Sequence, residues 1–326
     1  MEKIAVIANS RAGIGLEKTD ANRLRQAVEG IGYVREIGYS NLFSGVDAAY
    51  KQFVEEAASK GVEIIAVNGG DGTIQRLVTR LIMTYGEKRL PYIAPLRGGT
   101  ANALADDVGI RGKPEEILEK LAKLYKKNAL KLVTRTTLKL TRNDNYNTFK
   151  FDCDSGAGAD EPEYGFVFAG GIAANFYRRY YRGRGGKLSK FYRFFADMIL
   201  NPGKFHDSLD GKWALECDTN GGRVKETYTT LLAGTIKTVG LNLPKLLRRT
   251  GDGQNSFHLL ASKENAHAMA RMVPRAFVGI KCLDEFVLKE VVLKAREPSS
   301  YVLDGELKKC SELRLETGPK LLIPKV

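Results

Sequence analysis

Cysteine and histidine are scarce: the 326 residues include four cysteines and three histidines. Cys153, Cys217, Cys282 and Cys310 lie far apart with no Cys-x-x-Cys pair. Reduced structural thiols are therefore expected, not a disulfide framework. His206, His258 and His267 form no metal-ligand pattern, which argues against a zinc site. Also missing is any run of about 18–20 apolar residues able to span a bilayer. The apolar run in MEKIAVIANS is too short for a signal peptide and ends at Asn9. A cytoplasmic protein is expected, with any membrane contact peripheral. Acidic residues are outnumbered, 38 against 51 basic, for a net charge of +13. Such an excess suits anionic partners: nucleotides, nucleic acid or acidic headgroups.

What is present is a globular composition, 43% hydrophobic and 27% charged, long enough for two domains. The first ~130 residues alternate strand and helix, as a parallel sheet with covering helices does. IAVIA (4–8), EIIAV (63–67) and PYIAPL (91–96) read as buried strands. Helices are expected from about Thr19, over 46–61 with Gly61 as its stop, after the GGDG turn, and over 114–125 with Pro114 in its first turn. The grammar then changes to short runs such as TTLKLTR, YGFVFAG, KWALECD, SYVLDGE and ELRLET. These read as antiparallel strands of a sandwich or barrel. One helix is expected around Ala266–Val278. The boundary falls near Lys131, giving an α/β domain over 1–130 and a β-sandwich domain over 131–310.

Three polar, glycine-bearing loops follow strands of the first half: Asn9-Ser10-Arg11-Ala12-Gly13, Gly69-Gly70-Asp71-Gly72-Thr73 and Gly98-Gly99-Thr100-Ala101-Asn102. Glycine lets backbone N–H groups approach a phosphate, and a following helix N-terminus adds partial positive charge. Thr73 stands where a helix N-cap would. In a parallel sheet such loops share one edge and make a pocket. None matches the P-loop or the G-x-G-x-x-G dinucleotide pattern. Asp71 is odd beside phosphate unless it acts through Mg²⁺ or accepts hydrogen bonds. Far down the chain Asp304-Gly305-Glu306 follows an apolar strand; Asp-Gly alone is also a hairpin signal. Arg178–Arg193 (RRYYRGRGGKLSKFYR) carries seven positive charges, no negative one and interleaved aromatics. It reads as a membrane-surface anchor through Arg178, Arg179, Arg182, Arg184 and Lys187, ahead of a nucleic-acid surface or a solvated face. The carboxylates of DSLDG (207–211) read as an ordinary turn.

Taken together, these motifs resemble the diacylglycerol kinase-like lipid kinase superfamily, which includes sphingosine kinases and the more distant NAD kinases. Asn9–Gly13 resembles its Asn-Pro-x-x-Gly motif, with Ser10 in place of the usual proline. Gly69–Thr73 is its Gly-Gly-Asp-Gly-Thr signature. Thr100–Ala105 resembles Gly-Thr-x-Asn-x-x-Ala, with Ala103 where many members have aspartate. Tyr301–Glu306 resembles its late Asp-Gly-Glu motif. The resemblance implies an NAD kinase/diacylglycerol kinase-like α/β domain facing a β-sandwich across a cleft, with residues 311–326 returning to the first domain. It implies ATP and Mg²⁺ as cofactors, with ATP touching Asn9, Ser10, Arg11, Gly13, Gly69, Gly70, Asp71, Gly72, Thr73 and Thr100. Asn102 would support the pocket, and Ser40 or Ser44 would add a hydroxyl. It assigns Glu306 as general base with Asp304 as its partner; Asp71 is the competing base. The expected reaction converts diacylglycerol to phosphatidic acid at an anionic membrane surface. A sphingoid-base or ceramide kinase and an NAD kinase are the enzyme alternatives. A non-catalytic nucleotide sensor or nucleic-acid-binding protein on the same fold is the other. The sequence leaves the magnesium ligands and the oligomeric state open, and a homodimer is compatible with it.

Overall fold

The structure, a computed structural model, describes residues 2–9, 21–37, 46–143, 161–175, 177, 212–219, 222–240, 245–250, 255–265, 268–269 and 283–326. Its first half is a parallel sheet of four strands in the order β2-β1-β3-β4. These are β1 (Ile4–Asn9), β2 (Gly32–Ile37), β3 (Ile64–Asn68) and β4 (Tyr92–Pro95). β1 and β3 consist of buried apolar residues up to their polar ends, as strands covered on both faces do. β2 is an element the periodicity does not announce. GYVREI is an edge strand, half exposed along most of its length, so it needs no apolar run.

Helices α1 (Ala21–Ala27), α2 (Val46–Ser59), α3 (Asp71–Tyr85), α4 (Ala103–Asp107) and α5 (Pro114–Lys126) alternate with these strands. The α3 residues Ile74, Leu77, Val78, Leu81 and Ile82 are buried, as their 3–4 spacing predicts. α5 starts at Pro114, with Glu116 accepting from the Lys113 N–H. The helix expected around 266–278 lies almost wholly outside the described residues.

β5 begins at Lys131, and from there the described strands pair antiparallel in one ten-stranded sheet. Its spine is the hairpin of β13 (Glu290–Leu303) and β14 (Glu306–Lys325). Inward side chains enclose a second core around Trp213, Phe168, Tyr301, Leu293 and Leu313. β14 pairs with β13 over its first part and with β5 (Lys131–Arg142) to its end. Its late residues Leu321 and Ile323 are buried in the first core beside Ile4 and Ile93. The last strand thus ties the antiparallel half back to the parallel one. Cys217 and Cys310 are buried.

Candidate active site

The carboxyl ends of β1, β3 and β4 share an edge: Ala8 is level with Asn68, and Val67 with Pro95. β1 sits between β2 and β3, so the order reverses there, and such reversals open a crevice for ligands.

Two glycine loops cross at this edge with backbone against backbone. A Cβ on Gly99 would lie 2.2 Å from the Gly70 Cα; one on Gly98 would lie 2.2 Å from Asn68 Oδ1 and 2.7 Å from the Gly69 nitrogen. No side chain fits, which is the reason for glycine here. Asn68 Oδ1 is buried at this crossing without a hydrogen-bond partner. Asn102 holds the second loop closed. In the left-handed conformation (φ 54°, ψ 43°), it accepts from the Gly99 N–H (3.0 Å) and donates to the Gly99 carbonyl (2.8 Å). Thr100 follows, half-buried. Arg97 turns to Asp106 and the Ile110 carbonyl. Gly240, from the antiparallel half, abuts Ala101: its Cβ would be 2.9 Å away.

The cap of α3 is Gly70 (φ −87°, ψ −177°), not Thr73, so the helix starts at Asp71. Thr73 lies inside it because its hydroxyl is claimed elsewhere. It accepts from Asn9 Nδ2 (2.9 Å) and bonds the buried Tyr50 of α2, whose phenol burial pushes up to about 12. The Asp71 carboxylate accepts from the N–H groups of Leu104, Ala103 and Asn102, where α4 begins. Asp71 retains some exposed surface, yet protein surrounds its carboxylate; that desolvation lifts its pKa to about 6 against the pull of those amides.

The second acidic turn comes from the β13–β14 hairpin. Asp304 (φ 45°) and Gly305 (φ 95°) form its two-residue turn, so the hairpin reading and the site reading of Asp-Gly coexist. Asp304 is buried and accepts from Phe166 N–H (2.7 Å) and Val167 N–H (2.8 Å). Burial raises its pKa well above the ordinary carboxylate range, and the nearby Asp71 raises it further. Asp304 thus anchors the turn. Glu306 is delivered to the glycine loop: a Cβ on Gly72 would lie 2.6 Å from Glu306 Oε1, and Arg76 Nη2 donates to Oε2 at 2.9 Å.

Asn9, Gly69–Thr73, Thr100, Asn102, Asp304 and Glu306 therefore gather at one edge. Ser10, Arg11, Gly13, Ser40, Ser44, residues 207–211 and the basic residues Arg178, Arg179, Arg182, Arg184 and Lys187 lie outside the described residues. Sequence reasoning missed Arg76 and Tyr50. Gly72 and Arg76 are one turn apart on the same face of α3, a spacing that could have flagged Arg76. It also missed a buried polar cluster between the halves: Gln75 Nε2 (3.3 Å) and Lys308 Nζ (2.5 Å) on Glu163, with Arg142 at 3.6 Å.

For a nucleotide the fit rests on bare backbone: Gly69, Gly98 and Gly99 have no room for a Cβ, and the N-terminus of α3 opens beside them. A metal cage does not fit. Asp71 and Asp304 are held by backbone amides, Glu306 by Arg76, and no group of three metal-ligating side chains occurs among the described residues.

This architecture is shared by two kinds of kinase. A diacylglycerol kinase of Bacillus anthracis superposes with a TM-score of 0.60 at 14% identity, covering 99% of this chain and 96% of that one. Yeast NADH kinase, solved with NADH, superposes with a TM-score of 0.54 at 9% identity, covering 100% of this chain and 84% of that one. Within that fold, residues 3–132 match the family model of the diacylglycerol kinase catalytic domain. The protein of Shigella flexneri named "Probable lipid kinase YegS" is 45% identical over 78 residues, 24% of this chain and 24% of its own length. Its Escherichia coli O127:H6 counterpart is 44% identical over 73 residues, 22% and 23% of the two chains. The matched stretch thus spans about a quarter of these curated relatives. The superfamily resemblance of the motifs and the expected fold, a parallel α/β half followed by an antiparallel one, are both borne out.

Proposed function

We propose that the protein is an ATP-dependent lipid kinase that phosphorylates a lipid hydroxyl, with diacylglycerol as acceptor and phosphatidic acid as product. One observation carries the reading: Glu306, 230 residues from Arg76 in sequence, stands with its carboxylate over Gly72 in the glycine turn. Asp71 and Asp304 spend their carboxylates on backbone amides, whereas Glu306 faces the glycine turn from the β13–β14 hairpin, where it can accept a proton. ATP supplies the γ-phosphoryl group. Gly69–Gly72 and Thr100 hold the phosphates, extended by Asn9, Ser10, Arg11 and Gly13. Glu306 accepts the proton of the acceptor hydroxyl as its oxygen bonds to phosphorus, and the bond from phosphorus to the departing ADP oxygen breaks. Asp304 and Asp71 fix the two turns. Mg²⁺ would travel with the phosphates, since no protein cage is offered.

The domain division at Lys131 and the membrane role of Arg178, Arg179, Arg182, Arg184 and Lys187 belong to this proposal. A lipid kinase must reach its acceptor in a bilayer, and a net charge of +13 favours an anionic surface. Among the described residues no helix is long and apolar enough to cross a membrane. The test is Glu306→Gln. Transfer should fall by about 10²–10⁴-fold, the usual scale of general-base catalysis, with ATP affinity within about twofold. Wild-type turnover in this variant would refute Glu306 as base and move the role to Asp71.

A further inference from the structure

We infer that Arg76 is a positioning residue for the reaction, aiming Glu306 at the acceptor hydroxyl; this rests on Glu306 being the base. Gly72 and Arg76 lie one helical turn apart on α3, and both meet the same carboxylate. Oε1 lies over Gly72 and Oε2 takes the Arg76 guanidinium at 2.9 Å. Two contacts on two oxygens fix the direction of a side chain that would otherwise rotate freely from the first residue of β14. Asp47 of α2 lies within electrostatic reach of the guanidinium, and Arg76 lines a small cavity of about 20 Å³ together with Asp47, Gln75, Thr79, Arg80, Glu163 and Lys308.

Stability is a weak reason for this pair. The two side chains are only 23% and 30% exposed, and the cost of taking both charges out of water offsets most of their attraction. Asp304 fixes the backbone of the hairpin but not the torsions of Glu306. Arg76 supplies that missing constraint, from the same helix that presents the glycine turn. Base and phosphate site are thereby held to one rigid element, and misplacement of a reacting group by about 1 Å costs on the order of 10²-fold in rate.

The test is steady-state phosphate transfer from Mg–ATP to diacylglycerol in mixed micelles, with the full chain. Arg76→Met should lower kcat by about 10–100-fold with the KM for ATP within about twofold. Arg76→Lys should recover part of that loss. Arg76→Met combined with Glu306→Gln should be no slower than Glu306→Gln alone, because a residue acting through another adds nothing once that other is gone. Wild-type kcat in Arg76→Met overturns the inference. So does a tenfold rise in the KM for ATP at unchanged kcat, which would make Arg76 a phosphate ligand. So do losses that multiply in the double variant. If Arg76→Met fails to fold, Arg76→Lys decides: a several-fold loss in kcat at unchanged KM is expected, and full kcat overturns. An active Glu306→Gln removes the base and this inference with it, whereas an inactive Glu306→Gln beside a fully active Arg76→Met removes this inference alone.

Discussion

Gly99→Ala probes the crossing of the glycine loops, the proposed nucleotide cradle. The added methyl would lie 2.2 Å from the Gly70 Cα and 3.0 Å from its nitrogen. Carbon atoms rest about 3.5–4.0 Å apart, so the loops must separate by more than about 1 Å. The obstacle is backbone, which cannot rotate away. Forced overpacking of this kind costs about 1–3 kcal/mol, and about 2–4 °C of Tm accompanies each kcal/mol in larger domains. The reverse substitution is the control. A Cβ on Gly70 meets the Gly99 Cα at 3.4 Å, an ordinary contact, and Gly70 has φ −87°. Gly70→Ala should stay within about 0.5 kcal/mol of wild type. Scanning calorimetry and calorimetric titration with ATP read both effects. Gly99→Ala should melt several degrees lower and bind ATP at least tenfold more weakly. Equal melting of the two variants, with wild-type ATP affinity in Gly99→Ala, would refute the crossing as the cradle.

Three more outcomes follow from the same geometry. Thr73→Val keeps the shape but removes the hydroxyl that Asn9 Nδ2 and Tyr50 bond; a loss of about 1–3 kcal/mol is expected in urea unfolding, and no loss would sink the claim that Thr73 is structural. Asn102→Ala loses both contacts to Gly99 and the tolerance for φ 54°, whereas Asn102→Gly loses only the contacts. The glycine variant should therefore be the more stable by about 1 kcal/mol; the opposite order refutes strain at this position. The Asp71 carboxyl, whose pKa rises on folding from 3.8 to about 6, makes the folded protein bind the extra proton between those values. Its contribution is full below the unfolded value and lost as pH rises through 6, about 3 kcal/mol in all. The stability gap between wild type and Asp71→Asn should shift towards the variant by up to that amount between pH 4 and 8, read by chemical denaturation; a flat gap contradicts the assignment.

The legible parts were those set by local chemistry. Buried strands announce themselves as apolar runs, and α3 through its spacing of Ile74, Leu77, Val78, Leu81 and Ile82. The glycine turns were visible because a backbone crossing permits no other residue. β2 was not visible, since an edge strand needs no apolar signature. The cap of α3 was misplaced to Thr73 because nothing local shows that a threonine hydroxyl is pledged to Asn9, 64 residues earlier. Arg76 and the Gln75–Glu163–Lys308 cluster were hidden for the same reason. Their partners lie 230, 88 and 145 residues away, brought close only when the strand Glu163–Gly165 and the β13–β14 hairpin pack onto α3. For Asp71 two roles are open in the sequence, action through Mg²⁺ or acceptance of hydrogen bonds; the structure shows the second, and the amides it accepts from arise from the approach of α4, which its own motif does not encode.

The most direct test of the account is transfer of labelled phosphate from Mg–ATP by the wild-type protein. The acceptors would be diacylglycerol, monoacylglycerol, phosphatidylglycerol, sphingosine, ceramide and NAD, the lipids in mixed micelles. The account predicts a labelled lipid product, with diacylglycerol the best acceptor, and no labelled NADP. Label in NADP alone, or ATP bound with no transfer to any acceptor, would contradict it.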